Sequence, residues 1–113
     1  NEAIQQKAGD FGFFWAPDPS SSAYCTVGGN LACNAAGPRS IKYGTTRENT
    51  LGLKAVLGNA QELSTGVQTT KGVVGYDFTR LLIGSEGTLG IITEATLKIL
   101  PKPEAKLTLG ALY

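Results

Sequence analysis

The stretch Gly84-Ser85-Glu86-Gly87-Thr88-Leu89-Gly90, followed at once by Ile91 to Leu100, constrains the fold more than any other part of the chain. Glycine recurs at every third position, with small or polar residues between the first two. Ordering glycine is entropically unfavourable, so such a cluster marks backbone that needs positive φ or must be approached closely. Beyond Gly90 the pattern has a period of two. Ile91, Thr93, Ala95, Leu97 and Ile99 fall on one face, and Ile92, Glu94, Thr96, Lys98 and Leu100 on the other. This alternation predicts a half-buried strand, ended by Pro101 and Pro103. A glycine loop feeding a strand can form the rim of a cofactor site. Neither GxGxxG nor GxxxxGK[ST] occurs, so a nucleotide bound here is not held in the Rossmann or P-loop manner.

Composition narrows the rest. A chain of 113 residues is one domain at most, with a modest core. It begins at Asn1 and lacks Met, which predicts a processed chain or a piece of something longer. Its 15 glycines are about twice the usual ~7% share, and aliphatics interleave throughout, so a turn-rich α+β unit is expected. A net charge of +1 argues against a nucleic-acid partner. No apolar run approaches the ~20 residues of a membrane span, and no signal peptide is visible. Cys25 and Cys33, in a chain without His, give no zinc spacing, and a disulfide between them is not expected. Without His, this segment alone offers no His general base, no catalytic triad and no His-linked flavin.

Taken in order, residues 1–8 read as a helix stopped by Gly9. Phe11, Phe13, Phe14 and Trp15 read as a core-entering strand or loop, with stacking on a cofactor as the other use of such rings. Pro17 and Pro19 impose a turn or loop. Gly28-Gly29 precedes a short run of helix formers with Thr26 as cap. Free amides at such a start suit an anionic or carbonyl oxygen, although a tight turn packing Ala32 and Ala36 on a sheet explains the pattern equally well. Gly37-Pro38 ends the helix. Residues 39–49 form a polar connection whose Arg39, Lys42 and Arg47 are either solvated or contacts for a phosphate or carboxylate. Leu51, Leu53, Ala55 and Leu57 alternate as a strand, Gly58-Asn59 turns it, and residues 61–65 return antiparallel. Residues 69–76 read as a loop. Asp77 caps a brief helix with Phe78, Leu81 and Leu82 on one face.

Several blocks then carry a resemblance: Pro17-Asp18-Pro19-Ser20-Ser21, Cys25-Thr26-Val27-Gly28-Gly29-Asn30-Leu31-Ala32, Asn34-Ala35, Gly37-Pro38-Arg39, Lys42-Tyr43-Gly44-Thr45-Thr46-Arg47, Gly75-Tyr76-Asp77 and residues 84–96. In order and spacing, from Phe11 to Pro103, they resemble the FAD-linked oxidases of the vanillyl-alcohol oxidase type. Within that family the chain is most similar to the group of glycolate oxidase FAD-binding subunits and D-lactate and D-2-hydroxyglutarate dehydrogenases. The resemblance implies the second subdomain of a PCMH-type FAD-binding domain, mainly antiparallel sheet with short flanking helices. It implies that residues 1–113 are a partial domain, with the pyrophosphate-loop subdomain upstream and a substrate domain with the catalytic His and metal ligands downstream. No catalytic or metal-ligating residue is expected in the segment itself.

The same resemblance implies a flavin lined by Pro17, Asp18, Cys25 and Thr26, with Gly28 and Gly29 letting the backbone approach and Ala32, Cys33, Asn34 and Ala35 continuing the wall. It places Glu86, Gly87, Gly90 and Ile92 against the ribityl-to-adenine stretch. FAD is expected to be non-covalent, and Glu86, which disfavours a phosphate, is expected to face hydroxyls or the adenine amino group. Arg39 and Lys42 are the cations considered for stabilising reduced flavin. The implied reaction oxidises the α-carbon of a D-2-hydroxy acid, glycolate or D-lactate. The implied partners are that substrate, the remaining domains, and further oxidase subunits including an iron–sulfur subunit. The implied location is the cytoplasm, peripheral to the inner membrane in the full complex. The competing readings are a non-catalytic scaffold or subunit-docking module of the same fold, and an alkylglycerone-phosphate synthase-like flavoenzyme.

Overall fold

The alternating apolar run after Thr50 and its return after Gln61 form the centre of the protein. In a computed structural model, which describes residues 1–67 and 75–110, β2 (Thr50–Leu57) and β3 (Glu62–Gly66) make the predicted hairpin, with Ala55 opposite Leu63. The outer edge of β2 pairs antiparallel with β4 (Gly90–Leu97), giving the sheet order β3-β2-β4. A second, two-stranded antiparallel ribbon joins β1 (Phe13–Trp15) to β5 (Ile99–Pro101). Short helices flank the sheets: α1 (Glu2–Gly9), α2 (Val27–Ala32), α3 (Ser40–Tyr43) and α4 (Phe78–Leu82). The fold is α+β with antiparallel sheets, as expected. The part of the predicted loop at 69–74 lies outside the described residues.

Burial explains why α2 and α4 sit where they do. Leu31 from α2, Leu82 and Ile83 from α4 and its exit, and Leu53 and Ala55 from β2 form one buried cluster, with Val27, Leu63, Ile92 and Ala95 packed around it. Each fully buried Leu or Ile contributes roughly 1.5–3 kcal/mol, so this cluster fixes both helices on the sheet. Both predicted caps form. Thr26 Oγ1 accepts from the Gly29 N–H at 3.0 Å, and Asp77 Oδ1 accepts from the Arg80 N–H at 2.9 Å. Each satisfies an amide that the helix itself cannot.

Three sequence expectations are corrected. The strand predicted over residues 91–100 is two strands. The chain turns out of the first sheet at Lys98, whose N–H donates to the Asn49 carbonyl at 2.9 Å, and β5 ends at Pro101, opposite Phe13, where a proline stop is expected. The predicted face of β4 also changes partway along. Lys54 pairs with Glu94 but Ala55 with Ile92, leaving Thr93 as an extra residue. That bulge puts Ile92 and Ala95 on the core side together, where strict alternation separates them. In α4 the buried residues are Thr79 and Leu82, whereas Phe78 and Leu81 are 46% and 57% exposed. The helix turns Thr79 inward because its hydroxyl lies 2.8 Å from Thr65 Oγ1 on β3.

The aromatic run divides in the same way. Trp15 is fully buried and Phe14 nearly so, but Phe11 and Phe13 are exposed. Phe14 meets the Tyr43 ring edge-on at 5.5 Å. Tyr43 belongs to α3, a short helix that sequence reading left as polar connection.

Candidate functional site

The two glycine segments come together because α2 and the Gly84–Gly90 loop share hydrogen bonds. At the end of α2 the Leu31 carbonyl accepts from the Gly84 N–H at 3.0 Å, and the Ala32 carbonyl accepts from the Glu86 N–H at 2.9 Å. Gly84 and Gly87 have φ of 84° and 78°, and Glu86 itself stands at 52°, so the turn needs glycine on either side of a left-handed glutamate. The loop then enters β4, which packs against α2.

The opposite rim is tied to the same helix. Asn34, at φ 50°, accepts from the Arg47 N–H at 3.0 Å through Oδ1. The Ala35 carbonyl accepts from both the N–H and the hydroxyl of Thr46, at 3.1 and 2.8 Å. A Cβ on Gly37 would overlap the Asp18 carbonyl, so the bare backbone there lets the Pro17-Asp18 turn close on this rim. Arg39 pairs with Asp18 at 3.2 Å across a partly exposed surface, an ion pair that orients more than it stabilises. Cys25 joins this rim through Asn30, whose Nδ2 donates to Cys25 Sγ at 3.3 Å and whose carbonyl accepts from the Ala35 N–H at 2.8 Å. Both cysteines are free.

The structure thus joins Asp18, Cys25, Ala32, Asn34, Ala35 and Glu86 through one network. Thr26, Gly28, Gly29, Cys33, Glu86 and Gly87 are exposed on it; Pro17, Gly90 and Ile92 lie largely beneath. The glycines differ in their reasons. A Cβ on Gly90 would sit 2.9 Å from the Val56 carbonyl, so strand packing alone demands glycine there. A Cβ on Gly29 would come within 3.1 Å of Thr26 Oγ1, crowding the cap. Gly28 is different: a Cβ there meets no atom of the chain within 4 Å. With only six residues, α2 has little macrodipole. What it offers is the amides of Val27 and Gly28, which have no intrahelical acceptor. Open space beside bare backbone and free donors fits a flat, polar-edged group such as a flavin.

The cations considered for this site are otherwise occupied. Arg39 holds Asp18, Lys42 sits 5.1 Å from the centre of the Tyr43 ring, and Arg47 donates through Nη2 to the Ile83 carbonyl at 2.8 Å. The sequence predicts an Arg47 that is either solvated or a contact for a phosphate or carboxylate, and the structure shows neither: the guanidinium bonds a buried carbonyl. Its role across 36 positions has no local signal.

A cavity of about 510 Å³ lies elsewhere, between β3 and α4, and none of its lining residues is one of those predicted to touch FAD. Glu48 lies on its wall. Its carboxylate accepts from the Thr45 hydroxyl and N–H at 2.6 and 2.7 Å, and these bonds hold its pKa below the ordinary 4.5 against the opposing effect of burial. A lowered folded-state value stabilises the fold above the unfolded pKa, and this contribution is lost as pH falls through the folded one. Urea unfolding of Glu48→Gln is therefore expected to lose less stability than the parent as pH drops below 4.5. Parallel curves for the two proteins would refute the assignment.

Comparisons with known proteins place the chain. Residues 1–66 match the FAD binding domain family. The chain is 55% identical over 102 residues to the glycolate oxidase subunit GlcD of Bacillus subtilis, covering 90% of this chain and 22% of that protein. It is 45% identical over 112 residues to D-2-hydroxyglutarate dehydrogenase of Xanthomonas citri (98% and 24% covered) and 43% identical over 106 residues to D-lactate dehydrogenase of Anaerostipes hadrus (94% and 22% covered). Among solved structures, an alkyldihydroxyacetonephosphate synthase superposes with TM-score 0.78 at 31% identity, over 92% of this chain and 20% of that one. The chain spans about a fifth to a quarter of the length of these relatives. The match over residues 1–66 and the identities to these relatives lead to one assignment: the chain belongs to the FAD binding domain family of FAD-linked oxidoreductases, related to glycolate oxidase and D-lactate dehydrogenase, with FAD as its cofactor.

Proposed function

We propose that this chain forms one wall of the FAD site in a longer flavoprotein that oxidises a small D-2-hydroxy acid of the glycolate or D-lactate kind. In this reading residues 1–113 are the second subdomain of the FAD-binding domain. Another subdomain supplies the pyrophosphate loop, and a separate domain supplies the substrate site with its proton acceptor. The observation that carries the reading is Gly28, a glycine exposed at a helix start with nothing in the chain that requires it to lack a side chain.

When bound, the flavin supplies the redox chemistry, taking up a hydride at N5 from the α-carbon of the acid. The chain's own work is to bind and orient. The Val27 and Gly28 amides donate to the polar edge of the ring. Thr46 holds the Ala35 carbonyl and Arg39 holds Asp18, so this rim is rigid before the cofactor arrives. Glu86, presented by a glycine-flanked turn, accepts from ribityl hydroxyls or the adenine amino group.

The substrate class follows from the relatives, which are named for glycolate, D-lactate and D-2-hydroxyglutarate, all 2-hydroxy acids. The likeness to the synthase, at 31% identity against 55% for the glycolate oxidase subunit, supports a shared scaffold more than a shared reaction. Because that oxidase relative is named as a subunit, association with further oxidase subunits, an iron–sulfur subunit among them, belongs to the same proposal. The purified flavoprotein carrying this chain is expected to be yellow and to bleach under anaerobic conditions on addition of glycolate or D-lactate. A folded, colourless protein would overturn the cofactor assignment, and a flavin left oxidised by every 2-hydroxy acid tried would overturn the substrate class.

A further inference from the structure

Segments far apart in sequence meet at Arg47. Its Nη2 donates to the carbonyl of Ile83 at 2.8 Å. Ile83 is fully buried and immediately precedes the Gly84 turn. The Arg47 backbone N–H donates instead to Asn34 Oδ1, just beyond α2. The junction is tight: a Cβ on Gly84 would lie 3.0 Å from Arg47 Nη2 and 3.1 Å from Asn34 Cβ. Arg47 Nε is buried with no hydrogen-bond partner among the described residues, so the contact with Ile83 is what holds the guanidinium. A charged donor makes that bond stronger than a neutral one would be.

The two bonds act on different rims. The backbone N–H steadies Asn34 whatever side chain residue 47 carries. The guanidinium holds the carbonyl of the Ile83–Gly84 peptide unit, whose N–H donates to Leu31, while the Glu86 N–H donates to Ala32 further along the turn. Losing the side chain therefore removes one of three bonds that hold the turn, loosening that rim and leaving the other in place.

We propose that Arg47 is a positioning residue that braces the Gly84–Gly87 turn and thereby sets affinity for the adenylate half of FAD. This rests on the cofactor reading above, in which Glu86 and Gly87 face the ribityl-to-adenine stretch. In this reading Arg47 acts through the turn, by its bond to the Ile83 carbonyl, rather than on the cofactor.

The test uses the FAD-stripped flavoprotein, titrated separately with FAD, ADP and riboflavin. Arg47→Ala is expected to weaken FAD and ADP binding by about tenfold, the equivalent of one lost charge-assisted hydrogen bond, and to leave riboflavin binding unchanged. Arg47→Lys, which can return a single donor to the Ile83 carbonyl, is expected to recover part of the loss. Leu63→Ala, on β3, loosens the core cluster that includes Ile83 but leaves the Arg47 bond intact; it supplies the stability control and is expected to change none of the affinities. Equal losses for ADP and riboflavin in Arg47→Ala, or a matching loss in Leu63→Ala, would make Arg47 an ordinary structural residue and overturn the proposal. Gly28→Leu, whose added Cβ meets nothing in the chain, separates the two readings. If it abolishes FAD binding while Arg47→Ala changes no affinity, only the brace is refuted; if neither variant matters, the cofactor reading fails and the brace with it.

Discussion

Replacing Gly28 with leucine is expected to make the FAD-free protein slightly more stable while weakening its FAD affinity by at least ~100-fold, equivalent to about 2.7 kcal/mol. The two effects have opposite signs because they have different origins. Glycine inside a helix is worse than a good helix former by roughly 0.5–1 kcal/mol, and a Cβ at position 28 meets nothing of the chain within 4 Å. The fold therefore has no use for the missing Cβ. On the proposed reading the flavin does, because a leucine side chain would occupy the volume in which the ring lies against peptide amides. The other glycines make poorer probes. Gly87 has φ 78°, so any replacement strains the turn, and Gly90 abuts the Val56 carbonyl. Loss of flavin in either could be unfolding. Gly28→Ala should lie between parent and Gly28→Leu in affinity. The check is a thermal melt of each apo-protein beside an FAD titration. A Gly28→Leu protein that melts higher and still binds FAD like the parent would reduce Gly28 to an ordinary turn residue.

How much of this was legible in the sequence depended on range. The hairpin at 50–66, the Thr26 and Asp77 caps and the φ-demanding glycines at 84 and 87 follow from neighbours within a few positions, and all were found there. The face of β4 was not, because Thr93 alternates correctly in its own strand. Only the pairing of Lys54 and Ala55 with Glu94 and Ile92 makes it a bulge. In α4 the apolar residues Phe78 and Leu81 outweighed Thr79 on hydrophobicity, yet a partner hydroxyl on β3 turned the helix the other way. The candidate site divides along the same line. Its residues were recognisable as ordered motifs. What holds them in place, the Asp18 carbonyl against Gly37 and the Arg47 guanidinium on Ile83, is long-range and carries no periodic signal.

Trp15→Ala is expected to destabilise the protein by about 3–5 kcal/mol, a large part of the ~5–15 kcal/mol that holds a typical domain together. Trp15 is fully buried and connects parts of the fold that touch little elsewhere. Its backbone N–H and carbonyl both bond the Gln5 side chain, at 3.3 and 2.6 Å, attaching α1 to β1. Its indole Nε1–H donates to the Asn49 carbonyl at 3.2 Å. Asn49 in turn uses Nδ2 to hold the Tyr43 and Thr45 carbonyls, the ground on which Thr46 and Arg47 stand. Apolar volume, rather than the indole hydrogen bond, dominates the expected loss. The Asn49 carbonyl also accepts from the Lys98 N–H at 2.9 Å, so removing the indole donor leaves it satisfied. Trp15→Phe, which keeps most of the ring volume and loses the N–H, is therefore expected to cost only about 1–2 kcal/mol. Urea denaturation followed by circular dichroism measures both, since the chain has a single Trp and each variant removes its fluorescence. Equal losses in the two variants would transfer the energy to the hydrogen bond. A loss under about 1 kcal/mol in Trp15→Ala, typical of a surface site, would mean that this side chain does not join the ribbon to the sheet.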